Sequence, residues 1–175
     1  MTGSAVPASV AADVAAAARA YLRVGDGVEA ALLERLAAAA VLLAERYCGR
    51  VLVARSFNEV LPASFGWRKL AWGPVTTIEG VTAANGAVLP VERYALDIDA
   101  GGDGWVRVTD GTRVSVGYTA GAAASFAAMP APVAQGCVLL VAHLFGDRDG
   151  EAAPPAAVAA LWRPFRRLRL GGVSR

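Results

Sequence analysis

The chain is poor in the groups on which most enzyme chemistry rests. It has one histidine, His143, among 175 residues. A histidine-based triad or a multi-histidine metal site is therefore limited to a single side chain. That histidine sits in an apolar helical run beside Leu144, a setting that suits packing or a helix end. The two cysteines, Cys48 and Cys137, also fall in apolar helical patterns. Buried free thiols are expected there, since a disulfide would need an oxidising compartment that nothing else supports. Ser56, Ser64, Ser115 and Ser125 lack nucleophile-elbow spacing. The run Gly101-Gly102-Asp103-Gly104 links strands, opens no helix and lacks the Lys-Ser/Thr of a phosphate loop. Asp147, Asp149 and Glu151 alternate without the other ligands of an EF-hand. They read as a solvated turn, and Asp97, Asp99 and Asp103 read as turn chemistry at a hairpin end. No metal, cofactor or catalytic residue is expected, and the chain does not read as an enzyme.

Charge is also missing over a long stretch. No Asp, Glu, Lys or Arg occurs from Val114 to Gly146. Pro130, Pro132, Gln135 and several glycines interrupt the stretch. Its clean apolar part is about ten residues, too short to span a bilayer. No basic residue precedes Arg19, so a secretory signal is not indicated. The expectation is a soluble protein made in the cytoplasm. Acids are absent from residues 163–175, which carry five arginines. The remaining 162 residues hold 12 basic and 15 acidic side chains, so the net charge of +2 is a basic tail on a mildly acidic body.

What is present is an apolar content of 55%, enough for one folded domain with a substantial core. Much of it is alanine, which suits closely packed helices. Val10, Val14, Ala17 or Ala18 and Tyr21 line one face of a helix over residues 9–23. A second helix is predicted after Asp26, with Glu29 in capping-box spacing. Leu32, Leu33, Leu36, Ala40, Leu43 and Tyr47 form its stripe, and Gly49 ends it. From Val51 to Tyr118 the composition turns to Val, Thr, Ile, Tyr and Trp with repeated turn signals. Strands are predicted to end at Pro62 and at Gly73-Pro74, and Asn85-Gly86 marks a hairpin. Trp105 to Val108 is expected to pair with Val114 to Tyr118 across Asp110-Gly111. Pro130 and Pro132 then open a third helix carrying Val133, Cys137, Leu140, Val141 and Leu144. Pro154-Pro155 opens a short fourth helix that runs to Trp162.

The predicted fold is α+β: a four-helix bundle with an inserted small antiparallel β domain and an extended C-terminal tail. Its parts are the N-terminal helices (1–54), the β insert (55–118), the C-terminal helices (119–162) and the basic tail (163–175). Trp67, Trp72, Trp105 and Trp162 suit core or interface roles better than stacking platforms. Arg68 and Lys69 are the only basic pair in the sheet and the candidate contact with nucleic acid or a neighbour. In the tail, Arg163, Arg166, Arg167 and Arg169 alternate with Trp162, Phe165, Leu168 and Leu170. Mixed apolar and cationic residues suit docking on an acidic, partly apolar protein groove. A nucleic-acid-binding module acting through the same arginines is the alternative.

Several pieces occur in an order that resembles the head–tail adaptor (connector) family of long-tailed bacteriophages and gene transfer agents. They are Tyr21-Leu22-Arg23-Val24 with the helix after it, Pro74 to Val81, Tyr94-Ala95-Leu96-Asp97, and Val116 to Gly121. The Pro130/Pro132 helix with Asp147-Arg148-Asp149, and Trp162-Arg163-Pro164-Phe165-Arg166, complete the set. The likeness spans residues 20–170. It implies a virion structural protein of the neck, in a homo-oligomeric ring typically of twelve copies. Its implied partners are the portal, a stopper or tail-completion protein, and DNA passing through the channel. Carried over residue by residue, the portal-docking segment is Trp162, Arg163, Phe165, Arg166, Arg167, Leu168, Arg169 and Leu170.

Overall fold

The computed structural model describes residues 5–25, 27, 29–147 and 152–167. The chain divides into two compact units. One is helical and comprises Val6–Leu52 with Ala123–Arg175; the other is a sheet unit of Val53–Ala122 together with Met1–Ala5.

The helical unit holds α1 (Ala8–Leu22), α2 (Ala30–Cys48), α3 (Ala131–Gly146) and α4 (Ala156–Trp162). Helices α1, α2 and α3 pack on one another, while α4 lies mainly against α3. The core comes from Val10, Val14 and Ala18 of α1, Leu33, Ala37, Ala40, Val41 and Ala44 of α2, and Val133, Cys137, Leu140 and Val141 of α3. Small side chains dominate α2, so the helices approach closely. The buried face of α2 is therefore centred on its alanines, and the predicted stripe residue Leu43 is exposed, as is Tyr21 on α1. Glu29 stands at the N-cap of α2, and Asp26, the predicted cap, lies outside the described residues. Gly49 ends α2 in the left-handed conformation at φ 68°, its N–H donating to the Glu45 carbonyl at 2.8 Å. Pro130 stands at the N-cap of α3 and Pro132 in its first turn, where a missing N–H costs no helical bond.

The sheet unit holds β1 (Arg55–Lys69), β2 (Val75–Ala83), β3 (Tyr94–Ile98) and β4 (Gly104–Ala120), all antiparallel. The order is β1-β4-β2, and β3 also pairs with β4. One face is the core. Phe57 stands opposite Tyr118, Glu59 opposite Val116 and Leu61 opposite Val114. Phe57 stacks on Tyr118 and on Trp72, with centroids 5.7 Å apart in both pairs. The intervening positions, Ser56, Asn58 and Val60, are exposed on the other face.

The architecture corrects the expected four-helix bundle with a small insert. The fold is α+β, but the fourth helix has only seven residues. Three helices carry most of the helical core, to which α4 adds Val158 and Trp162, and the sheet is a unit with its own core, built on strands of 15 and 17 residues. Two strand boundaries also differ. Pro62 does not end a strand: β1 runs through it, which an edge strand tolerates because one side of it needs no ladder bonds. Asp110-Gly111 does not close a hairpin either. Residues 105–108 and 113–120 both pair with β1, so β4 is one strand and the register skips at that point. Asn85-Gly86 does turn the chain, with Gly86 at φ 82° and the Ala83 N–H donating to the Ala87 carbonyl at 2.8 Å. Pro90 and a 3₁₀ turn at Val91–Arg93 then lead into β3.

Candidate functional site

The root of the basic tail is fastened to the helical unit. Trp162, at the end of α4, is 4% exposed and its indole N–H donates to the Val133 carbonyl at 3.2 Å. The ring lies over Gly136, where a Cβ would come within 2.8 Å of Cδ1. Tyr47 of α2 packs against the same ring at a tilt, with centroids 5.8 Å apart, and its hydroxyl donates to the Ala159 carbonyl at 3.3 Å. Beyond a 3₁₀ turn at Arg163–Phe165, the Arg166 guanidinium lies 5.9 Å from the centroid of the Tyr47 ring. The Arg167 N–H donates to the Cys48 carbonyl at 2.8 Å, so the tail root also supplies a donor at the end of α2. Arg163 and Arg166 are exposed, Phe165 and Arg167 half-buried. The structure therefore separates the expected docking residues. Trp162 is an internal anchor, and Arg163, Phe165, Arg166 and Arg167 follow it along the surface. Leu168, Arg169 and Leu170 lie outside the described residues.

Sequence reading missed Tyr47 and Gly136 as parts of this anchorage. Gly136 did carry a signal, because an isolated glycine inside an apolar helix often has a packing reason.

In the sheet unit, Arg68 and Lys69 have different surroundings. Lys69 pairs with the Asp103 carboxylate and lies 5.9 Å from the Trp105 ring centroid. Arg68 is exposed. Beside them Arg107 lies 5.2 Å from the centroid of Trp67, which is 46% exposed, and Phe65 is 81% exposed. The register of β1 breaks between Ser64 and Arg68, so Phe65, Gly66 and Trp67 fall in an irregular stretch. Farther along the outer face is a shallow depression of about 280 Å³ lined by Asn58, Glu79, Gly80, Val81, Thr82, Val88 and Gly117. Gly80 stands opposite Gly117 and Gly117 opposite Asn58, so the two glycines open the sheet surface there.

The remaining titratable groups have structural roles. Buried Glu59 accepts from the Tyr118 hydroxyl and the Ala71 N–H, both at 2.9 Å. Burial, then the hydrogen bond to Glu59, holds the Tyr118 phenol well above its usual range. Burial likewise raises the Cys48 thiol and pushes the Cys137 thiol up to about 12, which leaves both poor nucleophiles. Asp99 accepts from the Gly101 and Asp103 N–H groups at 2.9 Å and from the Trp105 indole at 3.0 Å. The Trp105 bond, then the Asp103 bond, lowers its carboxyl below the usual value. The His143 ring lies 3.2 Å from the Ala152 carbonyl, and Asp147 accepts from the Ala152 N–H at 3.1 Å, so both organise the end of α3. Among the described residues no cluster of three His, Cys, Asp or Glu could hold a metal, and no helix is long and apolar enough to cross a membrane.

Neither a family model nor a curated protein matches the sequence. Solved structures do. A chain in the neck of an empty gene transfer agent particle, computed with C6 symmetry, is 29% identical with a TM-score of 0.78. That match covers 99% of this chain and 97% of the other. A chain in the virion of the native gene transfer agent particle is 30% identical with a TM-score of 0.73, covering 97% and 96%. A third, in the neck of the native particle computed with C12 symmetry, is 29% identical with a TM-score of 0.72, covering 99% of each chain.

Proposed function

The chain belongs to the phage-like neck proteins, and from that premise we propose that it is a structural adaptor. In this reading copies form a ring, twelve being the number suggested by one related neck, which joins the portal to the stopper or tail and leaves a channel for DNA. The observation that carries the proposal is the end-to-end likeness to a chain of a symmetric particle neck at 29% identity. The anchorage at Trp162 adds support. It fixes where the tail starts, so Arg163, Phe165 and Arg166 leave α4 at a defined place. Alternating cations and apolar side chains suit a partner groove that is both acidic and apolar. Arg68 is assigned to the channel or to a neighbour, with Lys69 already held by Asp103.

Deleting residues 163–175 tests this. The expected outcome is loss of portal binding with self-association intact. The tail has no docking role if portal binding survives the deletion. The second reading, nucleic-acid binding, rests on the concentration of five arginines in that segment. It requires that DNA affinity fall with the deletion while portal binding persists.

A further inference from the structure

We infer that the outer face of the sheet unit carries both halves of a contact between copies: an aromatic knob at Phe65 and a socket over Gly80 and Gly117. The inference rests on the ring reading and gives it an interface. Phe65 is 81% exposed, on a stretch of β1 where the register breaks. Such breaks re-aim side chains out of the ladder. Trp67 flanks the knob with Arg107 over its ring. Exposed aromatics beside arginines match the composition of interface hot spots.

The socket is the depression of about 280 Å³ on the same unit. Two glycines in cross-strand register make the opening. Glycine inside a strand often marks the close approach of another group. Gly80 has nothing within 4 Å of an added Cβ, so neither packing within the chain nor a positive φ requires a glycine there. Val88, 77% exposed, supplies apolar wall, and Glu79 brings a carboxylate to the rim, its side chain lying against Gly117. The charges are complementary: Arg107 beside the knob, Glu79 beside the socket.

The occupant is a second copy of this chain. Knob and socket are different surfaces, so the contact is heterologous and propagates head to tail. Such contacts close into cyclic rings when the rotation permits. The matched neck chains belong to particles computed with C6 and C12 symmetry, where cyclic propagation is the geometry required.

Cysteine cross-linking tests the contact in the full chain. The two native cysteines are buried, so Gly66→Cys beside the knob and Ala87→Cys beside the socket place accessible thiols and leave Phe65 and Gly80 intact. With a short bis-maleimide, the double variant should give a ladder of covalent multimers, and each single variant at most a dimer. As an independent arm, Phe65→Asp and Gly80→Trp should each weaken self-association at least tenfold by light scattering. Their mixture should stop at a heterodimer, because only one intact contact can form per pair. If wild type assembles and the double-cysteine variant gives no ladder, the contact is wrong and the ring reading stands. It is also wrong if either charged or bulky variant assembles like wild type. A wild-type chain that stays monomeric at every concentration, with and without portal, overturns the ring reading and this contact together.

Discussion

At the scale of single residues, two positions have partners that leave little freedom. Gly136 sits under the Trp162 indole, so a methyl group there collides with a ring that cannot swing away without losing its bond to Val133. Gly136→Ala is expected to destabilise the helical unit by about 2–3 kcal/mol, in the range of core overpacking. Trp162→Ala should cost about 3–5 kcal/mol. Both are measurable as shifts in urea midpoint with an unchanged slope. Glu59 presents the second case. It is 5% exposed, and its carboxylate serves two donors. Glu59→Val leaves the Tyr118 hydroxyl and the Ala71 N–H without that acceptor, for an expected loss of about 2–4 kcal/mol. Adding Tyr118→Phe removes one orphan, so the double variant should lose less than the two single losses combined. Purely additive losses in a double-mutant cycle would show that the pair is not coupled.

At the scale of elements, the turn between β3 and β4 is organised by one carboxylate. Asp99 is ionised in its bonded form, and its folded pKa lies below the ordinary 3.8. The stabilisation is therefore present above about pH 4 and is lost as pH falls through the lower folded value. The indole N–H resonance of Trp105 should shift over that acid range in wild type and stay flat in Asp99→Asn. Local signals of this kind were legible in the sequence: the glycine cap at Gly49, the Asn85-Gly86 turn and the proline starts of α3 and α4. Strand pairing was less so. Asp110-Gly111 carries a good turn signal, yet β1 is long enough to bond both flanking segments, and tertiary pairing overrode local preference. Pro62 misled for a related reason, because its effect depends on being at an edge, which is a property of the assembled sheet. In the sequence, charge and the alternation of arginines with apolar residues marked the tail as a candidate docking segment. Its anchorage was hidden, because Tyr47 and Trp162 are 115 residues apart and only packing brings them together.

At the scale of the whole molecule, charge is divided unevenly. Removing residues 163–175 takes the net charge from +2 to −3, so the truncated chain should focus below neutral pH instead of near 8.8. Any adventitious DNA binding of the intact chain should fall with a log–log salt slope of about −4 to −5, since five arginines neutralise at most about five phosphates. A steeper slope would place further cations on the nucleic acid.

The sheet has one further consequence, which concerns time. Strands β1, β2 and β3 all bond to β4. During synthesis β1 is complete some 35 residues before β4 begins. At about 5–20 residues per second the early strands wait roughly 2–7 s for their common partner. In that interval Phe57 and Val75 have no strand to cover them, and the nascent chain depends on chaperones or on its own slowness to aggregate. A codon-level slowdown between residues 69 and 104 would lengthen that wait, and a faster passage would shorten it.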